Sequence, residues 1–335
     1  MKEAVIVSTA RTPIGRAFRG AFNNIKSPTL AAHAIRHAVQ RAGVDPAEID
    51  DVVLGTVLGA GTAGMNVARN AALAASIPHT VAAQTVDRQC ASGLMALGMA
   101  ATQVIVDGMQ VVVAGGQDNI SAVQHRYFEW VAAEADPNVI AQSPQAYMPM
   151  LQTAEVVAKR YDVSREAQDR YALSSQQRTA AAQAAGRFDA EIVPVGAQQA
   201  LADKATGAVS FKAVTLARDE GNRPDTTLEG LRALKPVRDF LGKLGGQVKV
   251  VELDSESPAG APHLAARVSS RRSRTGRVDS AGTKREQWRA TIHIVGINQC
   301  LPRRTPLRST TASSRMPWTM QLRRVMAICA RPYGP

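Results

Sequence analysis

The sequence predicts an α/β layered fold in which a mostly parallel sheet is covered by helices on both faces, and three observations carry that expectation. Apolar β-type runs recur through the first 118 residues: "EAVIVSTA", "DDVVLGTVL", "VAAQTVD" and "MQVVVAGG". Helical patterns separate them, and strands alternating with helices of this length build βαβ units. The last three runs are too continuously apolar for half-exposed strands, as expected of a sheet buried on both sides.

Taken in order, "EAVIVSTA" is a strand, and "SPTLAAHAIRHAVQRAGV" is a helix with Ser27 in the N-cap place and Gly43 near its C-terminus. "DDVVLGTVL" is the second strand, and "NVARNAALAAS" is an Ala-rich helix of high intrinsic propensity. "VAAQTVD" is the third strand, followed by a helix over "SGLMALGMAATQVIVDG" and the strand "MQVVVAGG". From Asn119 the alternation stops, in "NISAVQHRYFEW" and "AYMPM". "SREAQDRYALSSQQRTAAAQAAGRF" is then a helix opened by Ser164 and Glu166, and "EIVPV" is a short strand. The expected division is a first domain over 1–118, a mostly helical inserted domain over 119–237, and an atypical segment over 238–335.

That last segment differs in composition. Of the net charge of +12, residues 238–335 account for all of it, with 18 Lys and Arg against 6 Asp and Glu, while residues 1–237 carry 22 of each sign. "SSRRSRTGR" and "RSTTASSRMP" show no sustained 2.0 or 3.6 period, a composition expected to pack poorly. Clustered arginine is an electrostatic footprint for nucleic acid. The segment has few aromatics for base stacking and no recognised motif, so no nucleic-acid partner is expected. The N-terminus lacks the long apolar run of a signal peptide, and the most apolar stretch, Gly93 to Gly116, is broken by Gln103, Asp107 and Gln110. No membrane span is expected, and the reading is cytoplasmic.

The three cysteines, Cys90, Cys300 and Cys329, have neither disulfide-framework nor metal-ligand spacing. His33 and His37 stand one helical turn apart, but without a third ligand they read as a helix surface rather than a metal site. Cys90, in "TVDRQCASGLMALGMAA", is the residue of interest. It falls at a strand-to-helix junction, where unpaired N–H groups and the helix dipole favour a thiolate, the nucleophilic form of cysteine. Ala91, Ser92 and Gly93 let a ligand and the backbone come close. From spacing alone, an inert buried thiol beside an Ala-rich helix is the competing reading.

The segment "DRQCASGLMAL" resembles the active-site segment of the thiolases, the acetyl-CoA acetyltransferases and 3-ketoacyl-CoA thiolases. Further segments similar to that family follow its order: "VIVSTARTPIGRAFRGAF", "DDVVLGTVLGAG", "NVARNAALAASIP", "VVVAGGQDNIS", "TAEVVAKRYDVSREAQDRYALSSQQRTAAAQAAGRFDAEIVPV" and "RDEGNRPDTTLEGLRALKPV". The resemblance covers about residues 3–237. It implies a layered thiolase-like fold and a Claisen-type exchange on coenzyme A thioesters, with Cys90 taking the acyl group. Covalent capture divides one difficult step into two, and each oxyanion or enolate needs preorganised donors. The resemblance also implies CoA contacts by Arg223 and a pantetheine-channel place for Met148. It implies a homodimer or homotetramer, with no metal or redox cofactor. His125 in "VQHRYFEW" is not the family's activating histidine and reads as structural or surface.

Beyond "LRALKPV" the pattern departs from the family. The second half of a thiolase carries a Gly- and Asn-rich CoA loop, an Asn-Glu-Ala-Phe segment, a Gly-His-Pro segment whose histidine activates the nucleophile, and a Cys-x-Gly-Gly-Gly segment whose cysteine is the acid and base. None is intact here. "GINQCL" puts Asn298 in the asparagine's place, "ARPYGP" puts Arg331 in the histidine's place, and Cys300 and Cys329 lie outside the second-cysteine motif. The sharp boundary is the pattern expected of a coding frame that shifts near residue 237, or of a divergent second half. Two functional expectations follow: a thiolase-type acyltransferase, or a non-catalytic acyl-CoA-binding pseudo-thiolase that keeps Cys90.

Overall fold

The computed structural model describes residues 3–203 and 205–236 and the backbone of 325–331. Its centre is a five-stranded sheet in the order β1 (Glu3–Ala10), β7 (Val325–Arg331), β4 (Val111–Gly116), β2 (Asp51–Gly55) and β3 (Ala82–Val86). β2 pairs parallel with β3 and with β4, while β7 runs antiparallel between β1 and β4. Four strands therefore point the same way, as the alternating pattern predicts.

Side-chain alternation along the central strands divides the core between the two faces. Val52 and Leu54 of β2 and Val113 of β4 join α1 (Ser27–Ala42) and α2 (Val67–Ala74) through Ala31, Ile35, Ala38, Ala68 and Ala71. Val53, Val112 and Ala114 point the other way and meet Ala96, Ala100 and Val104 of α3 (Ser92–Thr102) and the π-type turn that prolongs it. Each fully buried Val, Leu or Ile contributes about 1.5–3 kcal/mol of transfer free energy. Alanines at the helix contacts let α1 and α2 lie close together and close to the sheet.

Several local expectations are corrected. Ser27 is the first helical residue rather than the cap; Lys26 occupies the N-cap without a side-chain bond, and the buried Ser27 hydroxyl has no partner among the described residues. Gly43 does end α1 in the left-handed conformation, at φ 67°. β3, expected to be buried on both sides, has no fully buried residue, because among the described residues it is the edge strand with only β2 beside it. "EIVPV" is not a strand of its own: Ile192 makes an isolated parallel bridge to Arg11, and β5 starts only at Val195. Val325–Arg331, in the segment expected to pack poorly, is a strand inside the main sheet. The irregular stretches 269–277 and 308–317 lie outside the described residues.

The region after Asn119 holds α4 (Ile120–Ala133), α5 (Pro137–Gln142), α6 (Met150–Arg160), α7 (Arg165–Ala184) and α8 (Leu228–Arg232). It also holds an antiparallel hairpin, β5 (Val195–Ala202) with β6 (Val209–Leu216), which the sequence reading missed. Alternation there is weak, since β6 buries almost nothing. A charged clamp joins this region to β1. The Arg11 guanidinium donates to both Asp219 carboxylate oxygens, at 2.7 and 2.9 Å, and to Glu191 at 2.7 Å, and it lies 5.7 Å from the Phe188 ring centroid. Burial alone would lower the Arg11 pKa, but the hydrogen bonds and charges of Asp219 and Glu191 outweigh it, so the pKa is raised. Next to it, Glu220 accepts from the backbone of Arg16 and Ala21, and a Cβ on Gly20 would collide with that carboxylate.

Two predictions follow from these contacts. Arg11→Ala removes a buried cation and leaves the half-buried Glu191 and Asp219 without it, and a loss of about 2–4 kcal/mol in chemical denaturation is expected; a loss under about 1 kcal/mol contradicts the clamp. The second concerns His33 and His37, whose rings are 4.7 Å apart on α1. Burial lowers both pKa values below 6.5, helped at His33 by His37 and Arg36 and at His37 by Arg41 and Arg36, while a hydrogen bond that His33 donates to the Pro194 carbonyl opposes the shift at His33. The unfolded chain therefore binds these protons more readily, so the stability they contribute is complete above pH 6.5 and is lost as pH falls through the lowered values. Urea midpoints should decline below that pH, and His33→Gln with His37→Gln should flatten the decline; an unchanged slope contradicts it.

Candidate active site

Cys90 sits in the turn that joins β3 to α3, immediately before the first helical residues. Its thiol is free and exposed, and among the described residues none hydrogen bonds to its sulfur. The turn itself is tightly made. Asp87 Oδ1 accepts the Gln89 N–H at 2.8 Å, and the Ser92 hydroxyl accepts the Arg88 N–H at 2.8 Å while donating to the Gln89 carbonyl at 2.6 Å. Gln89 is thereby held at φ 50°, a left-handed conformation uncommon for a non-glycine residue. The positive end of the α3 dipole faces this turn, a general anion-binding environment.

The turn rests on the end of β2. Gly55 closes that strand, and a Cβ there would fall well inside contact distance of the Ser92 carbonyl carbon and the Gly93 nitrogen. The backbone of α3 can reach the sheet only because position 55 has no side chain. Below it lies a buried polar cluster at the C-terminal ends of β2 and β4. Asp118 Oδ1 accepts from the Thr56 hydroxyl at 3.1 Å, the Val57 N–H at 3.0 Å and the Leu58 N–H at 3.1 Å. The Gln117 N–H donates to the Gly55 carbonyl at 3.0 Å, and its side-chain amide donates to Thr56 Oγ1 at 3.2 Å. Asn119 caps α4 by accepting from Ala122 and donates to the Ile25 carbonyl at 2.7 Å.

The other sequence-predicted residues are placed as follows. Met148 is half-buried in the turn before α6, its N–H donating to the Gln145 carbonyl at 3.0 Å. Arg223 is exposed; its backbone is pinned to α7 by the Gln176 side chain at 2.8 Å and to Thr226 at 2.7 Å, and neither contact uses its guanidinium. His125 stacks on Phe18, ring centroids 4.8 Å apart, in keeping with a structural role. Among the described residues no group of three or more His, Cys, Asp or Glu is arranged to hold a metal. Asn298 and Cys300 lie outside the described residues. Cys329 takes a register position in β7 between Val5 and Val111, and Arg331 pairs with Glu3 at the start of β1. That is the end of the sheet opposite Gly55, Val86 and Gly116, hence away from the Cys90 turn.

An open cleft lies between the hairpin and the chain entering α1, lined by Asn24, Thr29, Gln198 and Thr215 among others; Cys90, Met148 and Arg223 are not in its lining. Gln89–Asp107 is long and apolar enough by composition to cross a membrane, and one face of it packs on β2 and β4. Sequence reasoning missed Gly55, Asp118 and the Arg11 clamp, and it named Ser92 only for its small size, not for its hydroxyl. The signal for Asp118 was present: "QDN" follows an apolar strand directly, so its polar groups enter the core and need partners.

Comparison with known proteins agrees with this geometry. The model of the thiolase N-terminal domain matches residues 4–246. The acetyl-CoA acetyltransferase of Cupriavidus necator is 41% identical over 253 residues, covering 72% of this chain and 61% of that protein. The 3-ketoacyl-CoA thiolase of Bacillus subtilis is 38% identical over 238 residues, covering 70% of this chain and 59% of that protein. The crystal structure of the Bacillus anthracis acetyl-CoA acetyltransferase matches with a TM-score of 0.58 at 36% identity, covering 70% of this chain and 59% of the other. This chain thus spans about three fifths of the length of these relatives. With an α/β sheet that places Cys90 at the end of β3 and a family match over 4–246, the chain belongs to the thiolase family.

Proposed function

We propose that this chain serves an acyl-CoA acyltransferase of the thiolase type, with Cys90 as the residue that carries the acyl group. The single observation behind this reading is the exposed Cys90 sulfur at the N-terminal end of α3, in a turn locked by Asp87 and Ser92. In the first step the Cys90 sulfur attacks the thioester carbonyl of an acyl-CoA. A new thioester forms on Cys90, the bond from the carbonyl carbon to the CoA sulfur breaks, and CoA leaves as its thiol with the proton from Cys90. In the second step an acyl-CoA that has lost its α proton attacks this thioester: a carbon–carbon bond forms, the bond from the acyl carbon to the Cys90 sulfur breaks, and the released thiolate takes up one proton, balancing the one lost from the α carbon. The reverse sequence is thiolysis of a 3-ketoacyl-CoA. The electron pair passes through a tetrahedral oxyanion in each step, and donors fixed in advance stabilise it more than mobile water does.

Under this proposal, residues 1–118 form the nucleophile domain, 119–237 form the inserted domain that meets CoA through Arg223 and Met148, and 238–335 are the atypical third segment. Neither metal nor redox cofactor takes part, coenzyme A thioesters are the substrates, and neither nucleic acid nor membrane is a partner. The protein acts in the cytoplasm as a homodimer or homotetramer. One observation favours a second reading, a pseudo-thiolase that binds acyl-CoA without turnover: among the described residues no base is hydrogen-bonded to Cys90. A positioned base typically contributes about 10² to 10⁴ in rate.

Intact-protein mass spectrometry after incubation with acetyl-CoA separates the two. The acyltransferase reading expects one added acetyl group in the wild-type chain and none in Cys90→Ser. Binding of acetyl-CoA with no adduct establishes the pseudo-thiolase reading instead.

A further inference from the structure

We infer that Ser92 is a positioning residue for Cys90, its hydroxyl holding Gln89 in the left-handed conformation that presents the sulfur at the end of α3. The inference rests on the reading of Cys90 as nucleophile. Ser92 is 4% exposed, so water cannot readily take the place of its hydroxyl. That hydroxyl bridges the strained residue from both sides: it accepts from the N–H of Arg88, before Gln89, and donates to the Gln89 carbonyl itself. The same carbonyl also accepts the Ser92 N–H at 3.0 Å, so the oxygen of Gln89 is fixed twice by one residue. The Gln89 side chain is exposed and among the described residues makes no hydrogen bond of its own, so the contacts on its backbone at φ 50° are those of Ser92 and Asp87. Conformations of this kind persist only where the surroundings over-determine them, and they gather at reactive sites.

A rescue experiment distinguishes positioning from a general packing role. Asparagine tolerates the left-handed region far better than glutamine, so Gln89→Asn should hold the turn without the hydroxyl. The full-length chain and its Ser92→Ala, Gln89→Asn and double variants are treated with iodoacetamide, and alkylation at Cys90 alone is followed by peptide mass spectrometry. Ser92→Ala is expected to be about tenfold slower, the scale of releasing one strained backbone conformation. Gln89→Asn should match or exceed the wild-type rate, and the double variant should recover most of it. If Ser92→Ala precipitates, the double variant decides: folded and reactive supports positioning, while failure of both shows that Ser92 serves the fold and overturns the inference. Wild-type speed in Ser92→Ala, or a double variant as slow as Ser92→Ala, also overturns it. Acetyl-CoA labelling of the wild-type chain runs in parallel; absent labelling with the expected alkylation pattern counts against the acyltransferase reading and leaves Ser92 in place.

Discussion

The backbone contact between Gly55 and the start of α3 is the constraint on which the Cys90 turn depends. β2 is an interior strand, parallel to both of its neighbours, β3 and β4, so its C-terminal end is fixed from two sides. α3 reaches that end backbone to backbone, at Ser92 and Gly93, because Gly55 offers no Cβ. A helix held by side-chain packing alone can slide by a fraction of an ångström. One seated directly on a strand has much less freedom, and Cys90 lies two residues before the seat.

Polar groups fix the strand end on which this seat rests. Asp118 gathers two backbone N–H groups and the Thr56 hydroxyl, which orders the loop leaving β2, and Gln117 ties β4 to Gly55. Asp118 Oδ1 is fully engaged in this network, while the buried Gln117 Oε1 has no partner among the described residues, so the Asp118 contacts carry most of its strength. Further out, the Arg11 clamp draws the segment around Glu191 and Asp219 onto the end of β1. Arginine suits this place because its planar fork meets the Asp219 carboxylate with two donors at once and has a third for Glu191.

Where the sequence was legible, periodicity carried the message. The continuous apolar runs of β2 and β4 announced strands covered on both faces, and Gly43 marked the end of α1. β3 misled because "VAAQTVD" has the composition of a buried strand, while its edge position is a property of the sheet and not of the segment. The hairpin β5–β6 was harder to read for a related reason: the short alternation of "VSFKA" marks no buried face, since Val209 and Phe211 are exposed. Cys90 could be found from its neighbours in sequence, "DRQCASGLMAL". The left-handed backbone at Gln89 could not, since glutamine gives no sign of it and the cause lies in the hydroxyl three residues on.

α3 is apolar on nearly all sides, yet Leu94, Ile105 and Val106 in and beyond it are exposed, Val106 by 72%. The helix is therefore held from the sheet side, by its backbone seat on Gly55 and by the packing of Ala96, Ala100 and Val104 beyond it. Amide hydrogen exchange across residues 87–96 in Gly55→Ala tests this most directly. The account predicts that protection collapses there while α1 and α7 keep theirs, because the added methyl lifts α3 from its seat. Unchanged protection across 87–96 would mean that the turn is held by its own hydrogen bonds and that the Gly55 contact is incidental.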